Sequence, residues 1–341
     1  MTGRVYCAYF DHNYLSRGLA LYHSLQRHAP GSRLWVLCLS ERCFEILEKS
    51  ALAFLQPVRL SDFEAADPAT AATRTSRKPL EYYFTCTPGW MLYVAQREPS
   101  ADWVTYLDGD LYFFASPEPI YAELGHAAAA IIPHRFTPRL QKLLRYGTYN
   151  VGWVGARNDE RGLAILRWWR ERCIEWCFDY VDGDRFADQG YLDQFPVRFA
   201  DVAIVDHPGA NLAPWNVGAH AIGRQGDRVL IDGRAPLIFF HFQGLRRAWG
   251  CFVFNSHRVH RAPLTRAVRE HVYRPYVDEM LRIEAAIGPE QGTDTKPHGR
   301  LTSPSLSSLL RNTLRNLAEG CLRVLDIVTR RAFLVVRGRA Y

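Results

Sequence analysis

Apolar and polar stretches alternate along the chain in a repeating strand and helix order. Residues 5–10 form an apolar, aromatic run that reads as a buried strand. Leu19, Leu21, Tyr22 and Leu25 then recur at helical spacing up to His28, Pro30-Gly31 breaks the helix, and residues 34–39 read as a second buried strand. A helix over 41–54 and a short strand at 57–60 follow. Repeated strand–helix–strand units predict a mainly parallel sheet covered by helices, an α/β fold.

The same reading predicts a helix over 80–97, strands at 103–107, 111–114, 127–132 and 149–154, a tryptophan-bearing helix over 160–177 and a short helix at 187–194. Strands at 202–205, 229–231 and 237–242 come after it, and no repeat at a solenoid period occurs. Trp168, Trp169 and Trp176 are expected to pack on the sheet, and Tyr82, Tyr83 and Phe84 either pack in the core, the default for such a cluster, or line a binding groove.

The pattern changes at residue 288, where Gly, Pro, Ser, Thr and charge take over. Residues 1–287 are therefore read as one domain, 288–304 as a linker and 305–341 as a helical tail. In that tail Leu306, Leu310, Leu314, Leu317, Cys321, Leu325 and Val328 recur at spacings of three and four with arginines between them, the pattern of a basic amphipathic helix. Such a helix either packs back on the domain or meets an anionic membrane surface.

Charge sharpens this division. Of the formal net charge of +7, residues 300–341 hold +6, eight Arg against Glu319 and Asp326, so the preceding 299 residues are nearly neutral. The basic balance belongs to the tail, and a nucleic-acid partner is not expected. With 48% hydrophobic and 23% charged residues the composition is that of a folded globular protein. Its eight scattered cysteines, without a CxxC pair, read as reduced, buried thiols of a cytoplasmic protein. Cys173 and Cys177 lie one helical turn apart but lack the further ligands of a zinc site. Neither a secretory leader nor 18 consecutive apolar residues are found, so the expected location is cytoplasmic, peripheral on the inner membrane face in the case where the tail meets membrane.

Two places bear chemistry. Asp108-Gly109-Asp110 follows the apolar run 103–107, at the carboxyl end of a strand where open α/β sheets place ligands. Two carboxylates around a Gly, which lets the backbone turn sharply, suit a divalent cation with positions left for phosphate oxygens. A second such triplet, Asp182-Gly183-Asp184, has no strand before it and reads as a solvated turn. His241 closes the apolar run from Leu237 and is followed by Gly244 and Arg247, an imidazole to complete a metal site and a guanidinium suited to phosphate. The loops around His207-Pro208 and Ala213-Pro214-Trp215-Asn216 are candidates to approach a bound substrate.

These segments together resemble glycosyltransferase family 8, retaining enzymes of the GT-A fold. Tyr9-Phe10-Asp11-His12-Asn13-Tyr14 is similar to the family's first strand end, Tyr106-Leu107-Asp108-Gly109-Asp110 to its metal-binding segment, Asp188-Gln189 to the pair beside the donor sugar, and His241-Phe242-Gln243-Gly244 with Arg247 to its final motif. Asn150, in Tyr149-Asn150-Val151-Gly152, matches an Asn lining the donor pocket. The resemblance spans residues 4–250. It implies that Tyr9, Asp11, Asn13 and Tyr14 meet the uracil end of a UDP-sugar, and that Asp108, Asp110 and His241 hold Mn²⁺ or Mg²⁺. It places Asn150, Gly244 and Arg247 along the donor, and gives Asp188 and Gln189 the catalytic positions at the sugar. Two departures stand out: Arg247 replaces the family's Lys, and the segment Arg77-Lys78-Pro79-Leu80-Glu81-Tyr82-Tyr83-Phe84 lacks the usual Arg after its tyrosines, leaving Arg77 or Lys78 to meet the donor.

The function implied is metal-dependent transfer of a hexose from a UDP-sugar to a glycan or lipid-linked acceptor. A sugar-nucleotide nucleotidyltransferase would want a Gly-rich phosphate loop after the first strand, and residues 11–14 contain no Gly. A membrane-associated binding or scaffold protein would depend on the tail and not on Asp108.

Overall fold

Seven strands build the central sheet: β1 (Arg4–Phe10), β2 (Arg33–Cys38), β3 (Leu55–Arg59), β4 (Trp103–Leu107), and, past the short β5 (Leu111–Phe113), β6 (Ala129–Pro133), β7 (Tyr149–Arg157) and β8 (Val202–Ile204). The structure is a computed structural model that describes residues 3–248, 251–287, 332–336 and 338–341. The order across the sheet is β3-β2-β1-β4-β7-β6-β8. Neighbours are parallel except at β7, which runs antiparallel to both β4 and β6. The expected mainly parallel α/β sheet is thus observed.

Alternation along β1 explains how the sheet is covered on both faces. Tyr6, Ala8 and Phe10 point into the core shared with α1 (Leu15–His28), whose Leu15, Leu19 and Leu25 are buried. Val5 and Cys7 point the other way, against Trp90 and Val94 of the helix Pro79–Arg97 and Trp169 of the helix Glu160–Glu175. Burying each such large side chain contributes roughly 1.5–3 kcal/mol. Trp169 is fully buried and Trp176 nearly so, while Trp168 packs on Tyr191, Phe195 and Phe199, as expected of structural tryptophans. Among the described residues seven cysteines are buried and unbridged, again as expected.

Helix boundaries follow local chemistry. The helix α2 (Glu41–Ser50) starts where the Ser40 hydroxyl accepts from Cys43 N–H and stops at Ala51 in the left-handed conformation. The helix Pro79–Arg97 begins with Pro in its first turn, and the Glu81 carboxylate accepts from Lys78 N–H.

Three predicted elements take a different form. The short helix near 187–194 is a 3-10 turn, Gln189–Gln194. The strand near 229–231 belongs to a separate small antiparallel sheet. The chain end, placed in a helical tail by the apolar spacing, is instead the strands Ala332–Val336 and Arg339–Ala340, joined through Gly338 in the left-handed region and paired to Cys251–Phe254. Ala-Phe-Leu-Val-Val is rich in β-formers, and Phe333 is buried with its ring against that of Phe254. The rest of the expected tail and the linker 288–304 lie outside the described residues. Among the described residues no helix is long and apolar enough to cross a membrane.

Candidate functional site

Strand ends and one antiparallel register bring the acidic triplet and His241 together. After β4 the chain turns through Asp108-Gly109-Asp110 into β5, closed by Leu111 N–H donating to Asp108 O. Gly109 is not among the residues with positive φ, so the turn does not need the left-handed freedom expected of it. The strand Phe239–His241 pairs antiparallel with β5, with His241 opposite Leu111, and Phe242 N–H donates to Asp110 O. A residue 131 positions on is thereby fixed beside the two carboxylates. His241 Nε2 lies 3.1 Å from Asp110 Oδ1 and 3.6 Å from Asp108 Oδ2. One ligand atom from each of Asp108, Asp110 and His241 falls within 4.8 Å of the others.

Each member of the triad is held from behind. Tyr106 O–H donates to Asp108 Oδ1 at 2.8 Å, and Tyr14 O–H to Asp110 Oδ2 at 3.2 Å. His241 Nδ1 lies 3.2 Å from Asn150 Oδ1, an arrangement that makes Nδ1 the protonated nitrogen and turns Nε2 toward the carboxylates. Burial works against ionisation of Asp110, yet the charge and hydrogen bond of His241 and the nearby Arg17 guanidinium hold its carboxyl below the usual range. Burial dominates at Asp108, with the like charge of Asp110 adding to it, and its pKa is raised. His241 is raised too, because the carboxylates outweigh its desolvation. Two carboxylates and an imidazole that neutralise one another so incompletely suit a divalent cation of oxygen and nitrogen preference.

Gly152 supplies the room. The register of β7 against β6 shifts between Ile131 and Ile132, a bulge that takes residues 151–153 out of pairing with β6, while Gly152 O still accepts from Asp108 N–H. At Gly152 a Cβ would stand 2.8 Å from Asn150 Oδ1, 2.8 Å from His241 Cε1 and 2.9 Å from Asp108 Oδ2. Gly152→Ala therefore displaces two triad members, and we expect Mn²⁺ affinity to fall by about 10-fold or more. Titration followed by the spin-resonance signal of uncomplexed Mn²⁺ measures it; an unchanged affinity places the ion elsewhere.

The triad sits in a cleft of about 1090 Å³ lined also by Tyr9, Asp11, Tyr14, Asn150, Asp188 and Gln189. Asp188 is buried. Its Oδ2 accepts from Thr87 O–H at 2.7 Å, whereas Oδ1 has no hydrogen-bond partner among the described residues. Burial first, and then the charge of Asp108, push its pKa up to about 7. Gln189 is clamped: Nε2 donates to Tyr146 O at 2.8 Å, and Oε1 accepts from Val151 N–H at 3.2 Å and Asn150 Nδ2 at 3.3 Å. The Asp11 carboxylate accepts from Asn13 N–H, Tyr14 N–H and Asn13 Nδ2, capping the turn at 12–14.

Five expected residues are absent from the cleft lining. Arg77 donates to Cys173 O and Ile174 O at 2.7 Å, closing the end of the helix Glu160–Glu175, because carbonyls left unpaired at a helix terminus attract a guanidinium. Lys78 is exposed, its Nζ 3.8 Å from Glu81 Oε1. Arg247 pairs with the buried Glu284 and lies over the Phe252 ring, its charge answering a carboxylate that burial would otherwise strand. Gly244 takes a left-handed φ of 72°, and a Cβ there would stand 2.0 Å from Ser256 Oγ, so it serves the backbone turn. Asn13 faces its own turn. Tyr82 is core as expected, but Tyr83 and Phe84 line the cleft.

Sequence reasoning overlooked Tyr106, Thr87 and His134. Tyr106 was legible, since alternation in β4 puts it on the same side as Asp108. His134 stacks on Phe136, and burial pushes its pKa down to about 3, so it stays neutral beside Asn150. Trp215, from the loop singled out earlier, sets its ring 5.1 Å from that of His241. The Asp182-Gly183-Asp184 triplet is a turn with Gly183 at φ 61°, as expected.

No protein-family model matches the chain. The chain is 34% identical over 229 residues to the uncharacterized protein YfnD of Bacillus subtilis (strain 168), covering 66% of this chain and 73% of that one. With YfnF of the same organism, also uncharacterized, identity is 32% over 248 residues, covering 71% and 81%. Among solved structures it is similar to the galactosyltransferase LgtC in complex with donor and acceptor sugar analogs, at a TM-score of 0.51 and 15% identity over 86% of this chain and 98% of that one. That likeness shows the fold, and the fold is GT-A.

Proposed function

We propose that this chain, which belongs to the family of the Bacillus subtilis proteins YfnF and YfnD, is a metal-dependent retaining glycosyltransferase that moves a hexose from a UDP-sugar to a glycan or lipid-linked acceptor. The observation that carries this reading is the convergence of Asp108, Asp110 and His241 in a cleft whose wall also presents Asp188 and Gln189. It agrees with the resemblance to glycosyltransferase family 8, and the GT-A fold supports it.

Asp108, Asp110 and His241 would hold Mn²⁺ or Mg²⁺, whose positive charge favours departure of a diphosphate. Tyr14, Tyr106 and Asn150 fix the three ligands before substrate arrives, so little reorganisation remains to be done. Asp11, with Tyr9 and Tyr14 nearby, takes the base end of the donor. In transfer the bond from the anomeric carbon to the β-phosphate oxygen breaks with its electron pair leaving on UDP, the acceptor oxygen bonds to the same carbon, and the acceptor proton is released. Asp188, a buried carboxyl on the cleft wall, accepts from a donor-sugar hydroxyl. Gln189, held at both ends of its amide, keeps its carbonyl oxygen at a fixed place near the anomeric carbon. Arg247, paired with Glu284, leaves the diphosphate to the metal site.

Calorimetric titration of UDP, GDP, CDP and ADP with and without Mn²⁺ tests the reading. We expect UDP to bind with Mn²⁺ and weakly without it; preference for GDP would move the donor to another nucleotide, and no binding at all would remove the transferase assignment.

A further inference from the structure

The cleft does not end at the triad. Past Gln189 it reaches Arg145, which also lines an adjoining groove of about 780 Å³. Among the described residues eleven large apolar side chains are exposed, and five of them, Leu80, Leu144, Tyr180, Val181 and Val197, line one or other of these two cavities. Isolated exposed apolar residues need no explanation, but their concentration around one opening does. Leu80 comes from the first turn of the helix Pro79–Arg97, and Tyr180 and Val181 from the loop before Asp188, so two separate elements place apolar groups on the same cavity.

We infer that the acceptor is amphipathic, with an apolar, alkyl-like group adjoining the hydroxyl that receives the sugar, and that Leu80, Tyr180 and Val181 form its subsite. The inference rests on the transferase reading and narrows its acceptor. Aromatic rings alone would suit a sugar face, since a π-surface stacks on pyranose C–H groups, but Leu80 and Val181 offer no such surface. Their exposed methyls gain by covering hydrocarbon. This wall is part of the same cleft as Asp188 and Gln189, so an acceptor seated in that cleft can reach it.

The test uses the whole protein with UDP and Mn²⁺ and a series of methyl, hexyl and octyl β-D-glucosides below micellar concentration, with binding read from ligand NMR line broadening. Each added methylene that is covered should raise affinity about three- to fourfold. Leu80→Ser and Val181→Ser, at side chains 50% and 37% exposed, should flatten that dependence while Mn²⁺–UDP affinity stays at the wild-type value, which also reports that the variants are folded. Affinity independent of chain length, or a dependence that both variants retain, overturns the subsite. UDP titration of the same samples reads the transferase proposal separately, because loss of nucleotide binding in the wild type removes that proposal whatever the glucosides do.

Discussion

Asp110→Asn should abolish Mn²⁺-dependent nucleotide binding and lower transfer on the order of 10³-fold, with the fold intact. The substitution keeps the side-chain volume and leaves Asp110 O to accept from Phe242 N–H, so the pairing of β5 with the strand Phe239–His241 survives. What is lost is the negative charge 3.1 Å from His241 Nε2, one of two carboxylates able to hold the cation. His241 then faces only Asp108, 3.6 Å away, and its raised pKa should fall back. The two measurements are calorimetric titration of UDP with Mn²⁺ and release of UDP during turnover. Unchanged turnover would overturn the assignment of the metal to this triad, and would agree instead with a binding or scaffold protein.

Asp188→Asn should act differently, sparing Mn²⁺–UDP binding while lowering transfer by about 10²-fold, because Asp188 faces the donor sugar in the proposed mechanism and is no ligand of the cation. It should also change how stability depends on pH. The Asp188 carboxyl titrates near 7 in the folded chain, against an ordinary 3.8. Between those values the folded state retains a proton that the unfolded chain has released, so stability declines as pH rises through this window and remains lower above it. The shift corresponds to a cost on the order of 4 kcal/mol for this fully buried group, enough to lower the melting temperature by about 5 °C or more. His241, raised in the folded state, loses its stabilising contribution as pH rises as well, but it is common to both proteins. Melting curves from pH 4.5 to 8 should therefore fall more steeply for wild type than for Asp188→Asn. Parallel curves would mean that Asp188 is ionised throughout and that burial does not govern it.

The chain itself determines more than its strands. The alternation in residues 5–10 fixes which side chains of β1 face each layer, and the apolar run before Asp108 puts the acidic pair at a strand end, since both are written in windows of a few residues. The apolar run ending at His241 marks that residue in the same way, and the resemblance of separated motifs extended the reading to Asn150, Asp188 and Gln189; all four line the cleft.

Arginine destinations were decided in three dimensions. Arg247 and Glu284 are 37 positions apart, and Arg77 meets carbonyls 96 and 97 positions away; a guanidinium goes to whichever buried acceptors lack a partner, and only packing determines which those are. The chain end was decided in the same way: residues 332–334 pair with residues 251–253, an edge more than 75 positions away. The apolar lining of the cleft also belongs to the tertiary structure. No pattern in the sequence marks Leu80 or Val181, and they gain significance because the fold sets them on one cavity with the triad. Short-range order was legible because its causes lie within a turn or a pleat, whereas long-range partners depend on a contest among all buried groups that no local window contains.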